Sequence, residues 1–193
     1  MEKTQIIYFN GPSSSGKTCL ARALQKALEE PFLYVSIDTM VQMMPPSLND
    51  WTGESTPEGF SWKETRDEDG NTMQELHMGP FAKKTSKSFK EVVVSLVRAG
   101  HSVLIDDVAF GKKDVDMWKE ALKGFGGLYV GVTAPIEVLE QRERERPDRI
   151  KGSARAQYYR CHKDMTYDLL LDTDANTLEE NVAKVISAQP MSF

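Results

Sequence analysis

The stretch Gly11-Pro12-Ser13-Ser14-Ser15-Gly16-Lys17-Thr18 constrains this chain more than any other. It matches G-x-x-x-x-G-K-[ST] at every defined position, between an apolar run ending at Asn10 and a stretch of helical spacing that begins at Gly16. A strand, a glycine-containing turn and a helix in that order make a phosphate-binding loop. Successive amide hydrogens point inward at phosphate oxygens, and the helix brings its positive end to the anion. Gly16 permits the tight backbone path and a close approach that a side chain would obstruct. Lys17 is expected at the β- and γ-phosphates of a bound ATP, and Thr18 at its Mg²⁺. A chance match in a Gly/Ser-rich turn would lack the flanking strand and helix.

The rest of the chain continues the alternation. Apolar runs at Gln5–Asn10, Phe32–Ile37, Ser102–Ile105, Leu128–Val132 and Tyr167–Leu171 predict five strands. Helical spacing is expected at Gly16–Glu29, Thr39–Met44, Phe81–Ala99, Asp114–Lys123, from Pro135 into QRERERPDR, at Ala154–Cys161 and at Thr177–Ala188. Pro45-Pro46 stops the second helix and Gly100 ends the third. Strands alternating with helices imply an α/β fold, a P-loop NTPase/kinase arrangement with a parallel sheet flanked by helices. Residues 45–79 interrupt it with Pro, Gly and charged residues, and Asp69-Gly70 between two polar-alternating arms signals a hairpin. This segment lacks the apolar residues for its own core, so 1–193 reads as one domain with an insertion at about 45–79 over one sheet end.

With 193 residues and 40% hydrophobic content, the chain is expected to fold around one sizeable core. A net charge of −5 argues against general nucleic-acid binding. No apolar run reaches the roughly 20 residues of a membrane span, and the N-terminal run is short for a signal peptide. Cys19 and Cys161 make no metal-binding or disulfide pattern, and two free thiols suit a reducing cytoplasm. Cys19 is expected to pack inside. His77, His101 and His162 lack metal-ligand spacing. The pattern specifies no oligomeric state.

Two carboxylate positions follow strands and so fall at the edge where such sheets bind ligands. Asp38 has two open readings: a general base toward an acceptor hydroxyl, or the N-cap of the next helix. Asp106 and Asp107 end the run Val103-Leu104-Ile105 in a Walker-B-like manner. Adjacent strand residues point to opposite faces, so one of the two is expected at the metal, and Asp106 is favoured. Arg142, Arg144, Arg146 and Arg149 crowd the segment after the fourth strand. It reads either as a solvated helix end laced with ion pairs or as a lid, about 142–152, whose arginines meet phosphate. Arg142 and Arg149 are the preferred phosphate ligands, with Arg146 next.

Five stretches together resemble the chloramphenicol phosphotransferase-like branch of P-loop small-molecule kinases: NGPSSSGKT at 10–18, SIDTMVQMMP at 36–45, VRAGHSVLIDDV at 97–108, YVGVTAPIEVLEQRERERPDR at 129–149 and YDLLLDT at 167–173. The resemblance implies a five-stranded parallel sheet and ATP-dependent phosphorylation of a hydroxyl on a small molecule. It also implies Asp38 as base, Lys17 and Thr18 as phosphate and metal ligands, and Arg142 to Arg149 as lid. Residues 46–79, where an acceptor would sit, are longer and more charged than in the antibiotic kinase. The acceptor class therefore stays open among antibiotic-like alcohols, nucleosides, nucleotide-sugars and other metabolites. A nucleotide-dependent switch with little turnover is a reading of another class. Trp51, Phe60, Trp62, Met43 and Met44 are candidates either to line an acceptor pocket or to anchor the insertion. Glu54, Glu58, Asp67, Glu68 and Asp69 are read as a solvated hairpin.

Overall fold

All five side chains of β1 (Ile6–Asn10) are buried, which puts this strand in the middle of a sheet covered on both faces. A computed structural model describes residues 5–49, 56–147 and 149–189. In chain order α1 (Lys17–Ala27), β2 (Phe32–Ser36) and α2 (Ile37–Gln42) follow β1. Next come β3 (Phe60–Arg66), β4 (Thr72–Met78), α3 (Pro80–Arg98), β5 (Ser102–Asp107) and α4 (Lys112–Ala121). The chain continues through β6 (Leu128–Thr133), α5 (Ile136–Arg144), α6 (Ser153–Cys161), β7 (Leu169–Asp172) and α7 (Leu178–Ala188). The five-stranded sheet has the order β2-β5-β1-β6-β7, and each of its pairings is parallel.

The pleat sorts the core into two layers. Ile7, Phe9, Leu104, Val130, Val132 and Leu171 pack against Leu20 and Leu24 of α1 and Val185 of α7. Ile6, Tyr8, Val103 and Ile105 face the other way, against Phe89, Val93 and Val97 of α3 and Val115 and Trp118 of α4. Each large apolar side chain so covered contributes about 1.5–3 kcal/mol. Among the described residues, no helix is long and apolar enough to cross a membrane.

β3 and β4 form a separate antiparallel hairpin, with Phe60 opposite Met78 and Arg66 opposite Thr72. Its turn is held by Asp67, whose Oδ1 accepts from the amides of Asp69 (3.1 Å) and Asn71 (2.8 Å), and Gly70 takes the left-handed φ of 82°. Phe60 packs with Val41, Met44 and Ala82, so the hairpin is pinned to α2 and α3.

Three local expectations change. β2 ends at Ser36, and Ser36 rather than Asp38 caps α2: its Oγ accepts from the Asp38 amide at 3.1 Å. The helix starts earlier than its apolar pattern suggested because a serine with extended backbone precedes it. Cys19 is exposed, not packed inside. The buried stripe of α1 runs through Leu20 and Leu24, and one residue back is about 100° around the helix. Met43 is 74% exposed and neither anchors the insertion nor lines the cavity described below. Trp51 and Glu54 lie outside the described residues.

Candidate active site

The loop between β1 and α1 sits at the carboxyl edge of the central strand, and its backbone is restricted at Gly11, Ser14 and Gly16. A Cβ on Gly11 would stand 2.0 Å from the Val132 carbonyl oxygen, so glycine alone fits. Gly16 has φ 90° and precedes the first turn of α1, and Ser14 is held at φ 65° at the loop's bend. A non-glycine residue in that region stores strain that the surroundings must offset. The Lys17 ammonium is buried and donates to the carbonyls of Gly11 (2.8 Å) and Pro12 (2.9 Å). The hydroxyls of Ser14 and Ser15 are buried, and neither has a hydrogen-bond partner among the described residues.

The neighbouring strand end supplies oxygen ligands. Thr18 Oγ1 donates to Asp106 Oδ2 at 2.8 Å, and the Tyr34 hydroxyl donates to the same oxygen at 2.7 Å. Burial, with Asp106 beside it, pushes the Tyr34 hydroxyl up to about 12, so it remains a donor at neutral pH. Asp107 points to the opposite face, where it accepts from Trp118 Nε1 (2.6 Å), Tyr8 (3.0 Å) and the Val108 amide (2.9 Å). Burial raises its pKa, although Lys90 and these donors act the other way. The two adjacent aspartates are thus divided by the pleat: one beside the loop, one within the core. Paired hydroxyl and carboxylate oxygens suit a hard divalent cation such as Mg²⁺. Among the described residues no group of three or more His, Cys, Asp or Glu is placed to hold a metal. A cation here would therefore draw most of its ligands from phosphate and water.

The arginine-rich segment reaches the loop through Arg142 and α2 through Arg149. Arg142 donates to Thr173 Oγ1 (2.9 Å), the Thr173 carbonyl (3.2 Å) and the Ser14 carbonyl (3.4 Å). Arg149 forms an ion pair with Asp38 at 3.1 Å, with side chains 17% and 48% exposed respectively. Asp38 is in the first turn of α2 with its carboxylate free of the cap, since Ser36 does that work. Arg146 is exposed and lines the same cavity.

Several residues had no assigned role in the sequence. Glu143 is 2% exposed, and its carboxylate takes donors from the Gly152 amide, the Ser153 hydroxyl and the Ala154 amide, each at 2.7 Å. It joins the end of α5 to the start of α6 and so fastens both ends of the segment that carries Arg149. Gln157 Oε1 accepts from the Ser13 amide at 2.6 Å. Thr173 Oγ1 donates to the Ser15 carbonyl at 2.9 Å, tying β7 to the loop. The hairpin is tied to the same region: the Gln74 amide donates to the Gly152 carbonyl at 3.1 Å, and Arg155 bridges Asp67 and Glu140, each at 2.6 Å. Burial opposes ionisation of Asp67, but Asn71 and Arg155 outweigh it and hold its pKa down to about 2.

These groups surround one cavity of about 860 Å³. Lys17, Thr18 and Asp106 line it together with Asp38, Arg142 and Arg149. Phe60, Leu76 and Met78 of the hairpin and Val41 of α2 give it an apolar wall. Phe60 both anchors the hairpin and lines the cavity, so the two readings of that residue hold together.

A parallel sheet of order β2-β5-β1-β6-β7, entered through G-x-x-x-x-G-K-T at its central strand, is the fold of the P-loop kinases. A Janibacter sugar kinase matches it at TM-score 0.67 and 16% identity, over 95% of this chain and 93% of that one. The Mycobacterium tuberculosis APS kinase, solved with AMPPNP and APS, matches at 0.64 and 17%, over 96% and 97%. The family model of chloramphenicol phosphotransferase-like proteins matches residues 4–190, and the chain belongs to that family. Two Mycobacterium tuberculosis sequences, from strains CDC 1551 and H37Rv and both provisionally named O-phosphotransferase, are each 32% identical over 184 residues. The match spans 93% of this chain and 80% of each of theirs.

Proposed function

We propose that this protein is an ATP-dependent O-phosphotransferase that moves the γ-phosphoryl group to a hydroxyl of a small molecule. The observation that carries this is the shared cavity: the Lys17–Thr18–Asp106 corner and the Asp38 carboxylate line one space, with an apolar wall large enough for a small acceptor. Family membership supports the same reaction class. A switch module would have no use for a carboxylate facing an acceptor wall.

In this reading the loop amides after Ser13, whose own amide is held by Gln157, bind the nucleotide phosphates and the Lys17 charge is presented to the β- and γ-phosphates. Thr18 and Asp106 would hold Mg²⁺, which when bound neutralises charge on the phosphates. Asp38 orients the acceptor hydroxyl and takes its proton as that oxygen bonds to the γ-phosphorus and the bond to the bridging oxygen of ADP breaks. Arg142, and Arg149 once released from Asp38, stabilise the charge on the moving group, as lid arginines (about 142–152). The hairpin within about 45–79 forms the acceptor wall of a single kinase domain. The two cysteines, both free thiols, suit a reducing compartment such as the cytoplasm.

The test is a mass-spectrometric screen for phosphoryl transfer from Mg–ATP to a library of small alcohols, chloramphenicol and nucleosides included. A mass gain of one phosphoryl group on an alcohol, absent with Lys17→Met, supports the reading. ATP hydrolysis that is slow and indifferent to every alcohol favours the switch instead.

A further inference from the structure

We infer that the acceptor carries an anionic group, a phosphate or a carboxylate, and that Lys83, Lys87 and Lys90 of α3 bind it. This rests on the phosphotransferase reading and names the substrate class of the same site. The three lysines are spaced i, i+4 and i+7, which puts them on one helix face. All three line the cavity that holds the phosphate-binding loop, as does Ser86 between them. α3 packs against α2, which carries Asp38, and against β4 of the hairpin, so this stripe belongs to the acceptor wall.

The surrounding protein does not neutralise Lys83 and Lys87, whereas Lys90 acts on the buried carboxylate of Asp107. Asp38 is paired with Arg149, Asp106 with Thr18 and Tyr34, and Asp107 with Tyr8 and Trp118. Asp114 accepts from the Phe110 amide at 3.1 Å. Lys90 lies over the Trp118 ring at 5.0 Å. Among the described residues the ammonium groups of Lys83 and Lys87 form no ion pair or hydrogen bond. Like charges four apart repel along a helix, a cost that an anion between them would remove. A solvated helix face is the ordinary use of such lysines, and Lys84, exposed and outside the cavity, is an example. Lys83 and Lys87 are exposed too and Lys90 is half-buried, but these three, unlike Lys84, line a partly enclosed space with apolar walls, where a charge is screened less than in open water. The nucleotide phosphates already have the loop amides, Lys17 and Arg142, so these lysines serve a second anion.

Calorimetric titration of the protein saturated with Mg–AMPPNP tests this, with phenyl phosphate, benzoate and benzyl alcohol as probes. The occupied loop removes the nucleotide site from competition. At least one anion should bind about ten-fold or more tightly than benzyl alcohol. Which anion wins separates a phosphorylated from a carboxylated acceptor. The doubly substituted Lys83→Met/Lys87→Met protein should lose about ten-fold in anion affinity. Its affinity for benzyl alcohol and Mg–AMPPNP should hold, and Lys84→Met should behave as the parent. Equal binding of the three probes, or an unchanged anion affinity in the double variant, overturns the inference while leaving the phosphotransferase reading intact. Failure to bind Mg–AMPPNP defeats both.

Discussion

Replacing Glu143 by Gln isolates one buried carboxylate with three donors. Oε1 accepts from the Ser153 hydroxyl and the Ala154 amide, and Oε2 from the Gly152 amide. A glutamine in the same rotamer can keep its oxygen at the first position and satisfy two donors. Its NH₂ then meets the Gly152 N–H, so one hydrogen bond to a charged acceptor is lost and a buried donor is left without a partner. Such a bond is worth about 1.5–3 kcal/mol, so a loss near 2 kcal/mol is expected. For a chain of 193 residues this corresponds to a fall in Tm of roughly 4–8 °C. Glu143→Ala removes all three contacts and leaves a cavity, and should cost about 4 kcal/mol. Thermal unfolding followed by circular dichroism reads both. A Gln variant that melts within about 1 °C of the parent would refute the clasp, because the drop expected for a lost charged bond is several times larger.

Three further outcomes follow from the site and its supports. Asp38→Asn should lower kcat by about 10² to 10⁴ with little change in ATP affinity, measured by steady-state kinetics and calorimetry; a collapse of ATP affinity would make Asp38 structural. Cys161 is buried and its thiol is pushed up to about 12 by that burial, whereas Cys19 is exposed beside the loop. Iodoacetamide at pH 8 should therefore label Cys19 first, more slowly with Mg–ATP present, and peptide mapping that finds Cys161 labelled first would contradict the packing. Asp67 has its pKa held down to about 2 in the fold against about 3.9 in an unfolded chain. Its contribution is then complete above about pH 4 and disappears as pH falls through 2. The Tm deficit of Asp67→Ala should be constant from pH 5 to 8 and shrink toward zero in acid; a deficit that grows on acidification would reverse the sign.

The phosphate-binding loop was legible because its residues answer to backbone geometry, which local sequence specifies. The five strands were legible for a related reason: in a sheet covered on both faces, strands read as continuous apolar runs. Ser36 was not read as the cap of α2, since the Asp two residues later is an equally good cap by composition and the extended φ/ψ of Ser36 decides between them. Glu143 gave no signal, because it sits in an unbroken charged run and becomes buried only when α6 folds back on α5. The lysines of α3 were not singled out, because which face of that helix meets the cavity depends on the docking of the hairpin and α2. Thr173 was part of a suggestive stretch, yet its contact with Ser15 of the loop spans 158 residues and leaves no local trace.

The account depends on the loop at residues 11–18 binding a nucleoside triphosphate with magnesium. Calorimetric titration of the folded protein with Mg–ATP should give a saturable one-to-one isotherm that disappears in Lys17→Met and weakens when magnesium is chelated. A flat titration with both ATP and GTP, from protein whose unfolding transition is intact, would contradict it.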